Sequence, residues 1–383
     1  MTGAPPAAST RRTRLDRLRL AALYAGGFLG PFGGGVTASM LPELGADLGL
    51  SPSGAAASLT AYLLPFALLM LVSGTLGQRW GARRTVRTAY VAYVVFSVLA
   101  AVAGVGWLFL GARALQGAAN AFTTPLLLSA LAAASPPERL GRSLGVFGSL
   151  QAAGQTFAPL VGGLAAELDW RLAFAGVAVV AALLAVAGLP ADPEPGEDQR
   201  RPRLRDAWRP AVLRLGLVAG LGWGALGGLS FLVALRVEDA FTLGAGLRGA
   251  LLTAFGVAGL LTARVVGAGV DRVGPGVLVR WGAVVGAVLV AAIGVLPSAI
   301  AVAAVWAAAG AAAQLLLVGV NALVLRGGAD RSAGGVSVVQ ALRFLGASAA
   351  PAVFLAPYHL SPVAGFGVAG ALLAVSAVLV PRR

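Results

Sequence analysis

The chain contains no cysteine and no lysine, and a single histidine, among its 383 residues. The lack of cysteine removes any disulfide framework, thiolate metal site or cysteine nucleophile. The one histidine, His359, is placed in a short loop between apolar runs, a surface position rather than a ligand set. Charge is scarce too: 11% of residues are charged, against roughly 25% in an average soluble domain. No glycine-rich phosphate loop is present, which argues against a pump driven directly by ATP. What remains is apolar, with 58% hydrophobic residues and a mean hydropathy of +0.85. A soluble α/β enzyme is excluded, because the apolar runs are about 20 residues long and lack the alternation of strands.

A bilayer core needs about 20 apolar residues per helix. Twelve such stretches are read near 18–41, 53–75, 86–105, 107–130, 143–166, 171–190, 211–235, 247–268, 276–296, 298–325, 333–356 and 361–380. The expected fold is therefore an all-α membrane protein of twelve transmembrane helices in two pseudo-symmetric six-helix bundles. A secretory signal also opens with basic and apolar residues, but many long runs follow this one, so the first helix is expected to be retained. The polar stretch 191–209, rich in proline and in both signs of charge, reads as a solvated linker. It divides the chain into bundles at 1–190 and 210–383.

All 29 basic residues are arginine, which we read first as base-composition bias. With alternating spans, 23 of them fall on the side of the two termini, three on the opposite side (Arg171, Arg236, Arg248) and three within helices (Arg113, Arg264, Arg343). This is the positive-inside pattern. It predicts cytoplasmic termini and linker in a cytoplasmic (inner) membrane, and it accounts for the +14 charge without nucleic acid.

Features recur at nearly half the chain length. Gly74-Thr75-Leu76-Gly77-Gln78-Arg79-Trp80-Gly81 and Gly267-Ala268-Gly269-Val270-Asp271-Arg272-Val273-Gly274 share the pattern G-x-x-x-x-R-x-G. Gly154, Ala158 and Pro159 match Gly346, Ala350 and Pro351. Gly26, Gly30 and Gly34 of the first helix answer Gly216, Gly220, Gly224 and Gly228 of the seventh. Together these argue for duplication. Small residues four apart let backbones approach closely, either as static packing or as a face on which helices slide.

A charge at the bilayer centre costs about 2.5–3.5 kcal/mol on insertion scales, so embedded polar residues need partners. Arg264 lies near a helix end and can snorkel. Arg113, Gln116 and Asn120 share one face, as do Gln151 with Gln155, Gln314 with Asn321, and Gln340 with Arg343. These faces point inward, either lining a substrate path or bonding to backbone carbonyls. None of the 15 acidic residues falls mid-helix; Glu43, just beyond the first span, is the nearest candidate for carrying a proton.

These motifs resemble the major facilitator superfamily, and within it the twelve-helix drug/proton antiporter branch. The family's loop motif, roughly G-x-L-a-D-R-x-G-R-R, is matched by Gly74, Leu76, Arg79, Gly81, Arg83 and Arg84, with Gln78 in place of the aspartate. Arg113-Ala114-Leu115-Gln116-Gly117 is similar to the family's R-x-x-q-G element. Gly154, Ala158, Pro159, Gly162 and Gly163 follow the antiporter motif G-x-x-x-G-P-x-x-G-G, with alanine for its second glycine. Asp169-Trp170-Arg171 stands where the family often has a Trp-Arg pair. The resemblance implies a cytoplasmic gate at Gly74, Gln78, Arg79, Gly81, Arg83, Gly267, Asp271, Arg272 and Gly274, its acidic latch resting on Asp271.

The expected function is secondary active transport of small organic molecules by alternating access, as an exporter, with protons as a candidate coupling ion. An importer or facilitator of an anionic metabolite is the alternative, favoured by embedded arginines without embedded acids. A non-transporting sensor or scaffold is a remote one. No enzyme activity, metal, cofactor or nucleic acid is expected. The partners are the lipid bilayer and a small-molecule substrate, and the protein is expected to be a monomer.

Overall fold

The computed structural model describes residues 7–135, 140–189, 209–326 and 333–380. The expected linker 191–209 lies outside them but for Arg209, as do residues 327–332 and 381–383. Among the described residues every regular element is helical. In the first half these are α1 (Ala7–Gly35), α2 (Leu41–Leu48), α3 (Pro52–Arg79), α4 (Ala82–Ala101), α5 (Gly106–Asn120), α6 (Thr124–Ala134), α7 (Leu140–Ala166) and α8 (Arg171–Ala187). In the second they are α9 (Pro210–Gly224), α10 (Ser230–Phe241), α11 (Ala245–Val273), α12 (Pro275–Ile293), α13 (Ala299–Arg326), α14 (Ala333–Leu360) and α15 (Pro362–Leu379).

Local chemistry sets many boundaries. Ser51 accepts a hydrogen bond from the Gly54 amide at 3.1 Å, and Pro52 follows it at the first helical position. Ser361 and Pro362 open α15 in the same way. The final glycines of the repeated loop pattern, Gly81 and Gly274, sit at φ 88° and 86°. Only a residue without Cβ takes that conformation freely, so the two copies share a backbone turn as well as a sequence.

Among the described residues seven stretches are long and apolar enough to cross a membrane: α3, the 32-residue stretch Pro210–Phe241, and α11 to α15. The shorter α8 is also apolar. The twelve expected crossings are visible to that extent. In the first half, α4 opens on Arg83, Arg84 and Arg87, and glycine, serine and glutamine dilute α7.

Three expected helices are interrupted. The run 18–41 ends as a helix at Gly35, after the triplet Gly33-Gly34-Gly35, and turns through 36–40 into the short α2. The run 107–130 divides at Asn120, where Thr123 donates to both the carbonyl and the side-chain oxygen of Asn120 at 2.8 Å. Pro125, which has no N–H to continue the ladder, then sits in the first turn of α6. The run 211–235 divides at Gly224, and a single 3-10 turn at Gly227–Leu229 leads into α10. His359 lies exposed in the last turn of α14 rather than in a loop. Pro357 does not end that helix, and its carbonyl still accepts from the Ser361 amide at 3.2 Å.

Among the described residues two large apolar cores result, with two small clusters beside them. One, around Leu23, Phe109, Phe147 and Phe174, draws only on residues up to Leu189. The other centres on Phe231, Trp306, Phe354 and Phe366 and takes in Leu41, Ala55 and Leu59 from the first half. The halves pack through α7 against α11 and α3 against α14. Between the latter, Thr60 donates to the Ser348 carbonyl at 2.6 Å and Phe66 meets Phe344 edge-on.

Glycines permit the closest backbone approaches. A Cβ on Gly346 would lie 2.0 Å from the Gly220 carbonyl oxygen, and one on Gly224 2.8 Å from that of Gly346. Neither backbone atom can rotate away. Gly346→Ala and Gly224→Leu are therefore expected to lower the thermal midpoint in detergent by at least about 5 °C, the scale of a few kcal/mol in a protein this size. Gly111→Ala, whose Cβ meets nothing within 4 Å, is the control and is expected to be neutral. Unchanged midpoints for both seam variants would show that the α9–α14 contact does not hold the second half together.

Candidate functional site

The deepest polar cluster is built around Arg113 on α5. This residue is 0% exposed, as is Gln116. One terminal nitrogen donates to Gln116 Oε1 and the other to the Gly33 carbonyl, both at 2.8 Å. Gly33 lies in the last turn of α1, where carbonyls have no helical partner, so the break in α1 supplies the acceptor. Gln116 donates onward to Ser97 Oγ at 2.8 Å, and Asn120 to the Gly30 carbonyl at 3.3 Å. Tyr62 also donates to the Gly30 carbonyl, at 3.0 Å, and its ring lies 4.4 Å below the guanidinium. Phe174 flanks the guanidinium at 5.5 Å, and its Nε is buried without a partner. Arg113, Gln116 and Asn120 thus share one buried face of α5. It is turned toward α1, α3 and α4 in this state.

The other inward-facing residues are less enclosed. Gln151 and Gln155 on α7, Gln314 and Asn321 on α13, and Gln340 on α14 are all half-buried. Arg343 on α14 is 8% exposed, with its guanidinium 4.7 Å from the Trp223 ring and 4.4 Å from that of Phe344. Its Nε and Gln340 Oε1 are buried without partners. Among the described residues no carboxylate pairs with Arg343. Arg264 is exposed.

The α7 motif faces two ways. A Cβ on Gly154 or Gly162 would strike the carbonyls of Phe28 and Val36 in the first segment, at 2.2 and 2.1 Å. One on Gly163 would strike the Ala245 carbonyl of α11 at 2.2 Å. Ala158 is buried at 3.3 Å from the position a Cβ on Gly35 would take, and the Pro159 carbonyl accepts from Ser39 Oγ at 2.7 Å. The motif therefore lets α7 touch α1 and the other half of the molecule at once.

At the opposite end of the bundle, Gln78, Arg79, Arg83 and Arg272 are exposed. Gly74 faces Pro125, and space around Gly267 is open. The side chain of Asp271 lies outside the described residues.

Arginine counting missed one centre, having assigned Arg248 to the surface opposite the termini. It is 1% exposed, in the first turn of α11. It pairs with Glu43 of the first half and Glu238 of the second, and donates to the carbonyls of Ser39 at 3.0 Å and Leu243 at 2.6 Å. Beside it, the Gly246 amide donates to Glu167 Oε1 at 3.1 Å. Further along that face, Arg171 pairs with Asp47 at 2.6 Å and stacks on Trp170. The only sequence signal was scarcity: three arginines on that whole side invite the question of what holds each one. Glu43 and Arg248 are 205 residues apart, and no local pattern joins them.

The model of the Major Facilitator Superfamily matches residues 23–351. Over 167 residues the chain is 36% identical to the puromycin resistance protein pur8 of Streptomyces alboniger, covering 42% of this chain and 33% of that one. Over 194 residues it is 30% identical to the tetracenomycin C resistance and export protein of Streptomyces glaucescens, covering 48% and 36%. A 136-residue stretch is 34% identical to the uncharacterized MFS-type transporter EfpA of Mycobacterium tuberculosis, covering 35% and 26%. The chain thus spans about a quarter to a third of the curated relatives it matches. Among solved structures, a POT family transporter in complex with 5-aminolevulinic acid superposes with a TM-score of 0.75 at 13% identity, covering 94% of both chains. The human organic anion transporter MFSD10 gives 0.68 at 18%, covering 96% of this chain and 99% of that one. These last two likenesses show the fold alone. The family model covers most of the chain, and the chain belongs to the Major Facilitator Superfamily of membrane transporters.

Proposed function

We propose that this transporter exports small organic molecules by alternating access, and that the structure represents a state closed on the side opposite the termini. The observation that carries this reading is the Arg248 cluster. A guanidinium from the second half is buried between a glutamate and a backbone carbonyl of the first, beside the glycine seam of α7 and α11. Opening that side requires separating Arg248 from Glu43. The Arg248 cluster and the α7–α11 glycine seam lie remote from the termini, and Phe66 meets Phe344 near the middle of α3 and α14. The half-buried Gln151, Gln155, Gln314, Asn321 and Gln340 then line a path open toward the terminal side, which the arginine bias assigns to the cytoplasm. Export is supported by the resistance and export proteins among the relatives. Protons are the proposed coupling ion, with Glu43 as the acceptor freed when the halves part.

Arg343 favours the second reading, an anionic substrate. A buried cation held by two aromatic rings and no carboxylate is an incomplete ion pair. Arg113 is assigned a positioning role: both its terminal nitrogens are engaged, so it ties α5 to the broken end of α1 rather than meeting substrate first.

Three measurements test these roles. Everted vesicles energised with a proton gradient should accumulate organic compounds, and a protonophore should abolish the uptake. Uptake that survives the protonophore would refute proton coupling, and no uptake of any compound in an active preparation would refute export.

The absence of cysteine makes the second simple. With Thr37→Cys as reporter, a buried position beside the seam, Arg248→Gln should speed labelling by an impermeant maleimide from the far side by about tenfold. Losing one partner of a fully buried pair costs about 3–5 kcal/mol. Here the glutamates are 29% and 35% exposed, so a value nearer 1.4 kcal/mol, the equivalent of tenfold, is expected. Equal labelling in both backgrounds would show that Arg248 is no latch.

The third concerns Arg113. Lysine lacks the planar fork that reaches Gly33 and Gln116 together. Arg113→Lys and Arg113→Gln should therefore both lose thermal stability along with transport. Normal stability with abolished transport in Arg113→Gln would instead place Arg113 on the substrate path.

A further inference from the structure

A groove of about 760 Å³ runs into the first half from the terminal side, between α3, α4 and α5. Its mouth is formed by Arg79, at the end of α3, Trp80, and Arg84, in the first turn of α4. From there Thr88, Ala92 and Phe96 line it at four-residue spacing. Twelve residues of helix from Arg84 to Phe96 span about 18 Å, close to one leaflet of a hydrocarbon core about 30 Å thick. The groove opens sideways: Leu115 on its wall is exposed, and so are Val91, Val95 and Val98 on the adjoining face of α4. Trp80 is 58% exposed and stacks on Phe122 at 5.9 Å, as an aromatic residue does at the level of lipid headgroups.

Among the described residues lining the mouth, the charged ones are both arginines. Arg79 and Arg84 line it, Arg83 and Arg87 are exposed nearby, and the sequence holds no acidic residue from 48 to 137. The duplicated loop makes the imbalance specific. In the second copy Asp271 precedes Arg272; in the first, Gln78 precedes Arg79. The first copy has the arginine without the carboxylate.

We propose that this groove binds an anionic glycerophospholipid from the leaflet on the terminal side. The headgroup phosphate sits between Arg79 and Arg84, and one acyl chain lies along Ala92 and Phe96. Guanidinium groups match phosphate oxygens in a planar fork, and basic pockets between transmembrane helices suit acidic headgroups. An apolar trough one leaflet deep, beneath a cationic mouth, fits such an amphiphile at both ends. The lipid supplies the negative charge that the first loop lacks.

The test is binding, read independently of transport. Purified protein in mixed micelles is exposed to phosphatidylglycerol or phosphatidylcholine of the same chains. Retained lipid is counted by native mass spectrometry, and the thermal midpoint is recorded. Phosphatidylglycerol should be retained preferentially and raise the midpoint. The double variant Arg79→Gln/Arg84→Gln should cut that retention at least tenfold, and Ala92→Trp, which fills the trough, should do the same with the charges intact. Arg264→Gln, an exposed arginine on another helix, should retain lipid as the wild type does. Equal retention of the two lipids, or phosphatidylglycerol retention that survives both groove variants, would overturn the proposal. So would retention of laurate but not of phosphatidylglycerol, which would make the groove a site for a free acidic amphiphile. Charge-neutral variants at exposed positions should leave folding intact, so loss of retention reports the site.

Discussion

A guanidinium buried in an apolar slab needs oxygen acceptors, and intact helices have none to spare. Every carbonyl in a helix interior is already bonded four residues on, and in lipid no water replaces a missing partner. The acceptors must come from places where a helix stops. In this transporter that place is residues 33–40, where α1 ends and the chain turns toward α2. The Gly33 carbonyl takes Arg113 of the same half, and the Ser39 carbonyl takes Arg248 of the other. The Ser39 hydroxyl bonds the Pro159 carbonyl, and the Val36 carbonyl lies against Gly162 of α7. One broken helix end thus joins the interior of its own bundle to the interface between bundles.

The same constraint explains why glycine and arginine, chemically opposite, act together. Arg248 can reach the Ser39 carbonyl only if α11 approaches the first half closely, and Gly163 and Gly249 allow that approach. A Cβ on Gly249 would lie 2.3 Å from the Pro159 carbonyl oxygen. Close approach without the arginine would leave a seam of weak van der Waals contacts between helices. The arginine without the close approach would leave its charge short of an acceptor. This contact between the halves needs both, which gives it a definite geometry.

Much of this was legible in the sequence, because hydropathy, small-residue spacing and charge bias follow from the bilayer acting as solvent. The face carrying Arg113, Gln116 and Asn120 follows from helical period, whereas the two-sided packing of the α7 motif appears only in the fold. The interruptions at Gly35, Asn120 and Gly224 were less plain, since apolar composition continues across each one. Gly33-Gly34-Gly35 and Pro125 were the available signals, but a hydropathy window averages over them. The partners of Arg248 were hidden for a different reason. Glu43 and Glu238 look like ordinary helix-end acids, and only the folding of two halves against each other makes them a pair of ligands for one guanidinium.

The two ends of the bundle hold their charges differently. On the far side, two glutamates surround one arginine, so a carboxylate loses its partner whenever the halves separate there. On the terminal side the arginines of the first loop, Arg79, Arg83, Arg84 and Arg87, have no acidic residue near them in sequence. The far end thus neutralises its arginine within the fold, while Arg79, Arg83, Arg84 and Arg87 lie exposed at the terminal end.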